Sequence, residues 1–227
     1  MQRTAIQTSG ICGALLSEDD RRRRNRVWII LCRDFFQPMI DPAGSVLDIA
    51  TGYGEFINNI TAAKKYAIDA NPLSAHHVAG DVQFTETMAD DLSHLPAGSI
   101  DRAFTSNFLE HLPDKAACDR VLREVLRVLK PSGKLIALGP NIRYAYDRYW
   151  DYYDYYLPLS DASLADGMAM NGFEIETVIP RFLPLSMKEG QPTADFLVKA
   201  YLRLSIIWPI FGKQFVVVGR KPATMAR

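Results

Sequence analysis

Cysteine is scarce in this chain, net charge is absent, and no long apolar run occurs. Three cysteines stand among 227 residues, at Cys12, Cys32 and Cys118. They form no CxxC pair and no metal-binding set, so a disulfide framework is excluded and a reducing compartment fits. Lysine plus arginine is 26 and aspartate plus glutamate is 26, a formal net charge of zero. That balance disfavours a nucleic-acid binder relying on a strongly basic surface. No apolar run has the length of a membrane span, and the most apolar late stretch, residues 202–212, is interrupted by Arg203 and Pro209. The opening MQRTAIQTSGICGALLSEDD carries an arginine and a short apolar piece. Acids follow at once and no cleavage pattern appears. The expectation is a soluble, cytoplasmic protein.

What is present is an ordinary globular balance, 48% hydrophobic and 23% charged. That is enough apolar side chain for a sizeable core, in one domain or one domain with a modest appendage. Residues 1–16 carry little information. Ser17 with the acids Glu18, Asp19 and Asp20 opens a helix. Arginines at 21–24 and 26 follow, then Val27, Trp28, Ile30, Leu31, Phe35 and Phe36 at helical spacing, up to Pro38. Residues 45–49 read as a buried strand, Glu55 to Ala63 as a helix, and 66–69, 82–86 and 100–105 as strands. Asp114 to Leu129 is the clearest helix, with one stripe from Cys118 to Leu129. Lys134 to Leu138 is a strand. Helix 160–170, strand 173–178, amphipathic helix 193–208 and strand 215–219 complete the pattern. Strands alternating with helices imply an α/β fold, a mostly parallel sheet covered on both faces.

The strongest local signal is Val46 to Phe56. A buried strand runs into a turn with Gly52 and Gly54 that opens toward a helix, and such a turn lies at the carboxyl edge of the sheet, where ligands bind. Asp69 ends the next strand, 21 residues after Asp48, placed to accept hydrogen bonds from ribose hydroxyls. The nicotinamide fingerprint G-x-G-x-x-G fails, because the third position after Gly54 is Ile57. A nucleoside ligand without a diphosphate fits better.

On these residues the chain, from Val46 to Lys221, resembles a class I S-adenosylmethionine-dependent methyltransferase. Asp48-x-Ala50-x-Gly52-x-Gly54 is similar to the family's first motif, with Ala50 where the first glycine is usual; alanine forbids easy positive φ. Ile68 to Pro72 resembles the ribose-binding motif. Asp90-Asp91-Leu92-x-x-Leu95-Pro96 resembles the adenine-side loop, with Met88 an alternative register. Ser99 to Asp101 with Thr105 to Leu112 resembles the fourth motif, and Leu126 to Leu135 the motif around the fifth strand. Segments 139–144, 149–151, 181–184 and 211–214 are similar to bacterial methyltransferases among polysaccharide and specialised-metabolite genes. The resemblance implies a Rossmann-like sheet with an antiparallel last strand. It implies S-adenosylmethionine as methyl donor and S-adenosylhomocysteine as product. Donor contacts would come from Asp48, Ala50, Gly52, Tyr53, Gly54, Asp69, Ala70, Asn71, Asp90, Asp91, Asn107 and Phe108. Residues 1–40 would cap that site, and 41–227 would form the methyltransferase domain.

Methyl transfer from a sulfonium is an in-line displacement, and alignment is the protein's main task. An oxygen nucleophile also has to lose a proton, which invites a general base. His111, just after the fourth strand, is the candidate base; the alternative is a packing role at the next helix. Glu110 reads as an orienting residue. His76 and His77 sit on an expected helix without further metal ligands, so no metal is expected. Between Tyr144 and Tyr156 stand seven tyrosines and Trp150, interleaved with Asp147, Asp151 and Asp154. This segment reads as an acceptor lid at about 141–159, with a surface hairpin or dimer contact as alternatives. Asn141, Arg143, Tyr144, Tyr149, Trp150 and Tyr153 are its candidate substrate contacts. The arginine cluster is a solvated face or an anion contact. Segment 196–210 is expected to pack on the sheet, with weak peripheral membrane association left open by Lys199 and Arg203. The expected function is methylation of a small-molecule acceptor, on an oxygen of a sugar-containing or specialised metabolite. N-methylation of an amine and an inactive cofactor-binding regulator are the alternatives. A monomer and a homodimer both fit, with no nucleic acid and no integral membrane segment.

Overall fold

The computed structural model of the chain describes residues 17–185 and 194–223. Cys12, the opening segment and the expected helix start at Thr193 lie outside the described residues. Seven strands form one sheet: β1 (Ser45–Ile49), β2 (Lys64–Asp69), β3 (Val82–Glu86), β4 (Ile100–Ser106), β5 (Leu129–Pro140), β6 (Glu174–Ile179) and β7 (Gln214–Arg220). Their order is β3-β2-β1-β4-β5-β7-β6. β1 pairs in parallel with β2 and β4, β2 with β3, and β4 with β5. β7 runs antiparallel between β5 and β6. The order reverses at β1, between β2 on one side and β4 on the other, which opens a crevice above the carboxyl ends of β1 and β4.

Two apolar layers cover the sheet. On one face α2 (Lys115–Val128) and α4 (Asp161–Met170) set Cys118, Val121, Leu122, Val125, Leu164 and Met168 against Leu47, Ala103, Leu135 and Val217. On the other face α1 (Glu18–Leu31) brings Val27, Trp28 and Leu31 onto Val46, Phe104 and Ile136. Ser17 caps α1 through Asp20 N–H, 3.1 Å, and the helix continues as a wider turn over Cys32–Phe36. Phe36, Phe56 and Phe104 form an aromatic cluster, with Phe56 stacked on Phe104 at 3.6 Å between ring centres. This cluster joins the end of α1 to the turn after β1. Burial of such side chains stabilises by about 1.5–3 kcal/mol each.

Three expected helices take other forms. Glu55 to Ala63 holds one tight turn, Ile57–Asn59, rather than a helix. Asn58 bridges instead to the loop after β2, donating to His77 O and accepting from Ala79 N, both at 2.8 Å. Asn59 donates to Glu55 O at 2.8 Å. Asparagine amides that bond to loop backbone compete with the helical ladder. His76 and His77 lie at the end of a tight turn, Pro72–His76, not on an α-helix. The expected 193–208 helix is α5 (Asp195–Arg203), a tight turn over Ser205–Ile207, and the short α6 (Trp208–Phe211). Pro209 has no N–H and its ring clashes with the preceding turn, so it is accommodated where a new helix begins.

Candidate functional site

The turn after β1 is built from three consecutive excursions to positive φ, at Ala50 (57°), Gly52 (55°) and Gly54 (68°). Ala50 adopts the conformation that its side chain was expected to resist. A left-handed L-residue costs roughly 1–2 kcal/mol, and it persists where the surroundings hold it. Here they do. Thr51 N–H donates to Ile68 O at 3.0 Å and Gly54 N–H to Thr51 O at 2.9 Å. Asp48, 3% exposed, accepts from Thr51 Oγ1 at 2.7 Å and from Ile57 N–H. Burial pushes its carboxyl up to about 7, against the bond from Thr51 and with the charge of Asp69 adding to the rise. Asp48 therefore fixes the turn from beneath. A side chain at Gly54 would collide with Asn58 at 2.8 Å, whereas one at Gly52 would meet nothing within 4 Å. Gly52 thus faces open space in the crevice.

Asp69 closes that crevice from β2. Its Oδ2 accepts from Gly52 N–H and its Oδ1 from Asn71 N–H, each at 2.8 Å. Each oxygen keeps a second lone pair, so the carboxylate could hold two hydroxyls of a ribose while bridging the two loops. Ala70 is exposed, and Asn71 caps the following turn through Leu73 N–H at 3.1 Å. Past β3, Met88 is exposed, Asp90 pairs with Arg120 at 3.0 Å, and Asp91 accepts from Ser93 N–H at 3.2 Å. Across the crevice, Asn107 at the end of β4 has φ 49°, its N–H on Leu138 O, and Phe108 beside it is half-buried.

Helix α1 lies over the same turn. Arg24 pairs with Glu55 at 2.7 Å, and the Arg21 guanidinium sits 5.6 Å from the centre of the Tyr53 ring, which in turn meets His77 at 4.8 Å. Arg21 Nε is buried without a hydrogen-bond partner among the described residues. Arg22 pairs with Glu18 in solvent. The cluster is therefore divided: Arg21 and Arg24 face the glycine turn, and Arg22 faces water. No sequence signal separated them.

His111 follows the crevice on the β4 side. Its Nδ1 lies 2.9 Å from Asp154 O and 3.3 Å from Asp154 Oδ2, and its ring meets Tyr155 edge-on at 5.1 Å. A carbonyl oxygen only accepts, so Nδ1 of the neutral ring carries the hydrogen. Nε2 is then the acceptor. Asp154, 43 residues away in sequence, was read only as one carboxylate of the aromatic segment. Its pairing with His111 is a tertiary fact that no spacing announces. Glu110 is 2% exposed, with Oε1 unpartnered among the described residues. Burial raises its carboxyl to about 8; its own backbone N–H works against the rise, and the charge of Asp154 adds to it. Its backbone carbonyl accepts from Tyr156 and Leu157 N–H at 2.8 and 2.9 Å, fastening the aromatic segment beside His111.

That segment is a helix, α3 (Ile142–Tyr149), followed by a string of turns, rather than a hairpin. Asn141 is fully buried. It accepts from Arg143 N–H at 3.2 Å and donates to Asp161 and Pro180 O, both at 2.8 Å. Its amide anchors α3. Tyr149 is also fully buried, its hydroxyl donating to Leu157 O at 2.7 Å. Tyr144 lies under the Arg181 guanidinium at 4.7 Å. Arg143, Trp150 and Tyr153 are exposed. Asp147 pairs with Lys213 at 2.8 Å, which holds its carboxyl below the usual range. Cys32 and Cys118 are buried, and burial pushes the Cys118 thiol up to about 12. Among the described residues no His, Cys, Asp and Glu cluster could hold a metal ion, and no helix is long and apolar enough to cross a membrane.

Residues 47–137 match the family model described as "Methyltransferase domain". The chain is 32% identical over 112 residues to the ubiquinone biosynthesis O-methyltransferase of Xanthomonas oryzae pv. oryzae, covering 45% of this chain and 46% of that one. It is 30% identical over 125 residues to the ubiquinone/menaquinone biosynthesis C-methyltransferase of Hahella chejuensis, covering 46% and 49%. The chain spans about half the length of the curated relatives it matches. A SAM-dependent methyltransferase from Archaeoglobus fulgidus superposes with a TM-score of 0.65 at 17% identity, over 89% of this chain and 98% of that one.

Proposed function

We propose that this chain, whose residues 47–137 match a methyltransferase domain model and whose fold is that of a SAM-dependent methyltransferase structure, transfers a methyl group from S-adenosylmethionine to an oxygen of a small hydroxylated acceptor. One observation carries the oxygen assignment. His111 Nδ1 lies 2.9 Å from the acceptor-only carbonyl of Asp154 and 3.3 Å from its carboxylate, beside the loop that ends β4, and in the neutral ring that contact leaves Nε2 as the acceptor.

S-adenosylmethionine supplies an activated methyl group on a sulfonium when bound. Asp69 would take its ribose hydroxyls, and the backbone of the turn 50–54 would lie along it. Arg21 would offer its charge to the amino-acid end, with residues 17–40 capping the donor. Asp90, Asp91, Asn107 and Phe108 would line the remaining walls. On the acceptor side, Arg143, Tyr144, Trp150 and Tyr153 would form a lid that positions the hydroxyl. His111 Nε2 would take its proton, and Asp154 would steady the imidazolium by charge. The acceptor class is a sugar-containing or specialised metabolite, or an intermediate of ubiquinone biosynthesis, the process named for the O-methylating relatives. A catalytically silent donor-binding protein is the second reading, favoured by the alanine held at positive φ in the donor turn.

The test is incubation of the full chain with methyl-labelled donor and a metabolite extract. Label should move into a low-mass fraction, and the bond formed should resist mild acid as an ether does. Donor binding without any label movement supports the silent reading instead.

A further inference from the structure

Carboxyl groups gather beneath the turn that follows β1. Asp48 ends that strand, 3% exposed, and accepts from Thr51 Oγ1 at 2.7 Å. Glu55, just past Gly54, has a side chain 11% exposed. Its Oε2 pairs with Arg24 at 2.7 Å, and its Oε1 has no hydrogen-bond partner among the described residues. Asp69 enters from β2 and bridges Gly52 N–H and Asn71 N–H. Cys32, buried at the start of the wide turn after α1, faces the same group. Of the cations that α1 brings to this turn, Arg24 is engaged by Glu55 and Arg21 lies over Tyr53.

These groups act on one another. Burial is the largest influence on Asp48 and opposes its charge. The bond from Thr51 favours the charge, that of Asp69 opposes it, Ile57 N–H favours it and Glu55 opposes it. Burial raises Glu55 as well, against its pairing with Arg24. The Cys32 thiol is pushed up by burial, then by the charges of Asp48 and Glu55. A cluster of this kind is short of positive charge. The methyl donor and its product differ in that respect alone at their sulfur: S-adenosylmethionine carries a fixed positive charge there, and S-adenosylhomocysteine carries none. Their amino-acid, ribose and adenine groups are the same. A fixed cation over a buried carboxyl favours its ionised form, and the effect reaches further where water is excluded.

We infer that Asp48 is a charge-selecting residue of the donor site: seating the sulfonium donor over the glycine turn drives a proton from its carboxyl to the buffer, and seating the neutral thioether product does not. The carboxyl is poised for this, because burial brings it to about 7, where both forms are populated. The sign follows from linkage. Below that pH the donor has to displace a proton, so its affinity falls as pH falls. Above it the carboxylate is already formed. The product leaves the carboxyl as it was and shows no such slope. Once the methyl group has moved, the sulfur is neutral and Asp48 no longer favours the molecule it holds, which aids product release. The inference takes the donor site from the proposed function and does not depend on the acceptor.

Calorimetry of the full chain with S-adenosylmethionine and with S-adenosylhomocysteine, at pH 7 in two buffers of different ionisation enthalpy, counts the protons released. The donor is expected to release about half a proton more than the product. Its affinity should rise roughly tenfold from pH 6 to pH 8, while that of the product changes less than about twofold. Asp48→Asn should abolish the difference between the ligands. Thr51→Val removes the bond that favours the carboxylate and should move the rise in donor affinity to higher pH. The natural chain and Thr51→Val decide the matter if Asp48→Asn does not fold. Equal release with both ligands, or none with either, overturns the inference. So does a difference that survives in Asp48→Asn, or a rise that stays in place in Thr51→Val. A chain that shows the difference but moves no methyl group contradicts the proposed function alone, and one that binds neither ligand overturns both.

Discussion

A histidine can take a proton only through a ring nitrogen that carries none. In a neutral His111 the hydrogen sits on Nδ1, facing the acceptor-only carbonyl of Asp154, and Nε2 is that nitrogen. His111→Ala should therefore lower turnover about 100-fold or more, as expected for a lost general base. Donor affinity and melting temperature should hold. A proportionate loss of stability and activity would assign His111 to packing. Beside it, Glu110 makes a separate statement about pH. Its carboxyl is raised from 4.5 to about 8, so the folded chain favours the protonated form. That contribution to stability is complete below the lower value and is lost as pH climbs through the upper one. Glu110→Gln keeps the shape and removes the ionisation. Denaturant melts should show the variant gaining on the natural chain between about pH 5 and pH 9, and a constant difference would contradict the assignment. Asp48 titrates toward about 7, so some pH dependence will persist in the variant. At Asp69, alanine removes bonds to two loops as well as to the proposed ribose. Donor binding should weaken by about 1.5–3 kcal/mol for each charged hydrogen bond lost, read by calorimetry.

At the scale of elements, the turn after β1 and the start of α3 show opposite uses of local chemistry. Ala50 is held at φ 57°. Ala50→Gly relieves a left-handed strain of roughly 1–2 kcal/mol and adds about 0.5–1 kcal/mol of unfolded-chain entropy. A net gain of up to about 1.5 kcal/mol should appear in denaturant melts; a loss would mean that the methyl group packs. Asn141→Ala should cost about 2–4 kcal/mol, from a lost cap and from Asp161 left without its buried partner. The strand–turn–strand units around β1 and β2 were legible because buried runs end on glycine, asparagine and proline. Helix α2 was legible from its apolar stripe, and the Asp114 cap is what the structure adds. The 55–63 crossover was not, because helical spacing is a local pattern and Asn58 bonds to a loop 19 residues on. Pro209 was visible, yet the outward turn of Ile206 and Ile210 depends on which face meets the core, and no single segment encodes that.

Across the whole molecule, the sheet order places three separate stretches of sequence around one crevice: the turn after β1, the end of β2 and the end of β4. Sequence motifs located each stretch, and the alternation of strands and helices supplied the architecture. The pairing of His111 with Asp154, and the facing of Arg21 toward Tyr53, required the closed fold. The account rests on one claim, that this arrangement moves a methyl group to an acceptor oxygen with His111 as base. The direct measurement is label transfer from methyl-labelled S-adenosylmethionine into a metabolite extract, run side by side on the natural chain and on His111→Ala after calorimetry shows equal donor affinity. The account predicts label in a low-mass acceptor with the natural chain and about 100-fold less with the variant. Equal labelling by both would remove His111 from the chemistry, and donor bound with no label moved by either would contradict transfer itself.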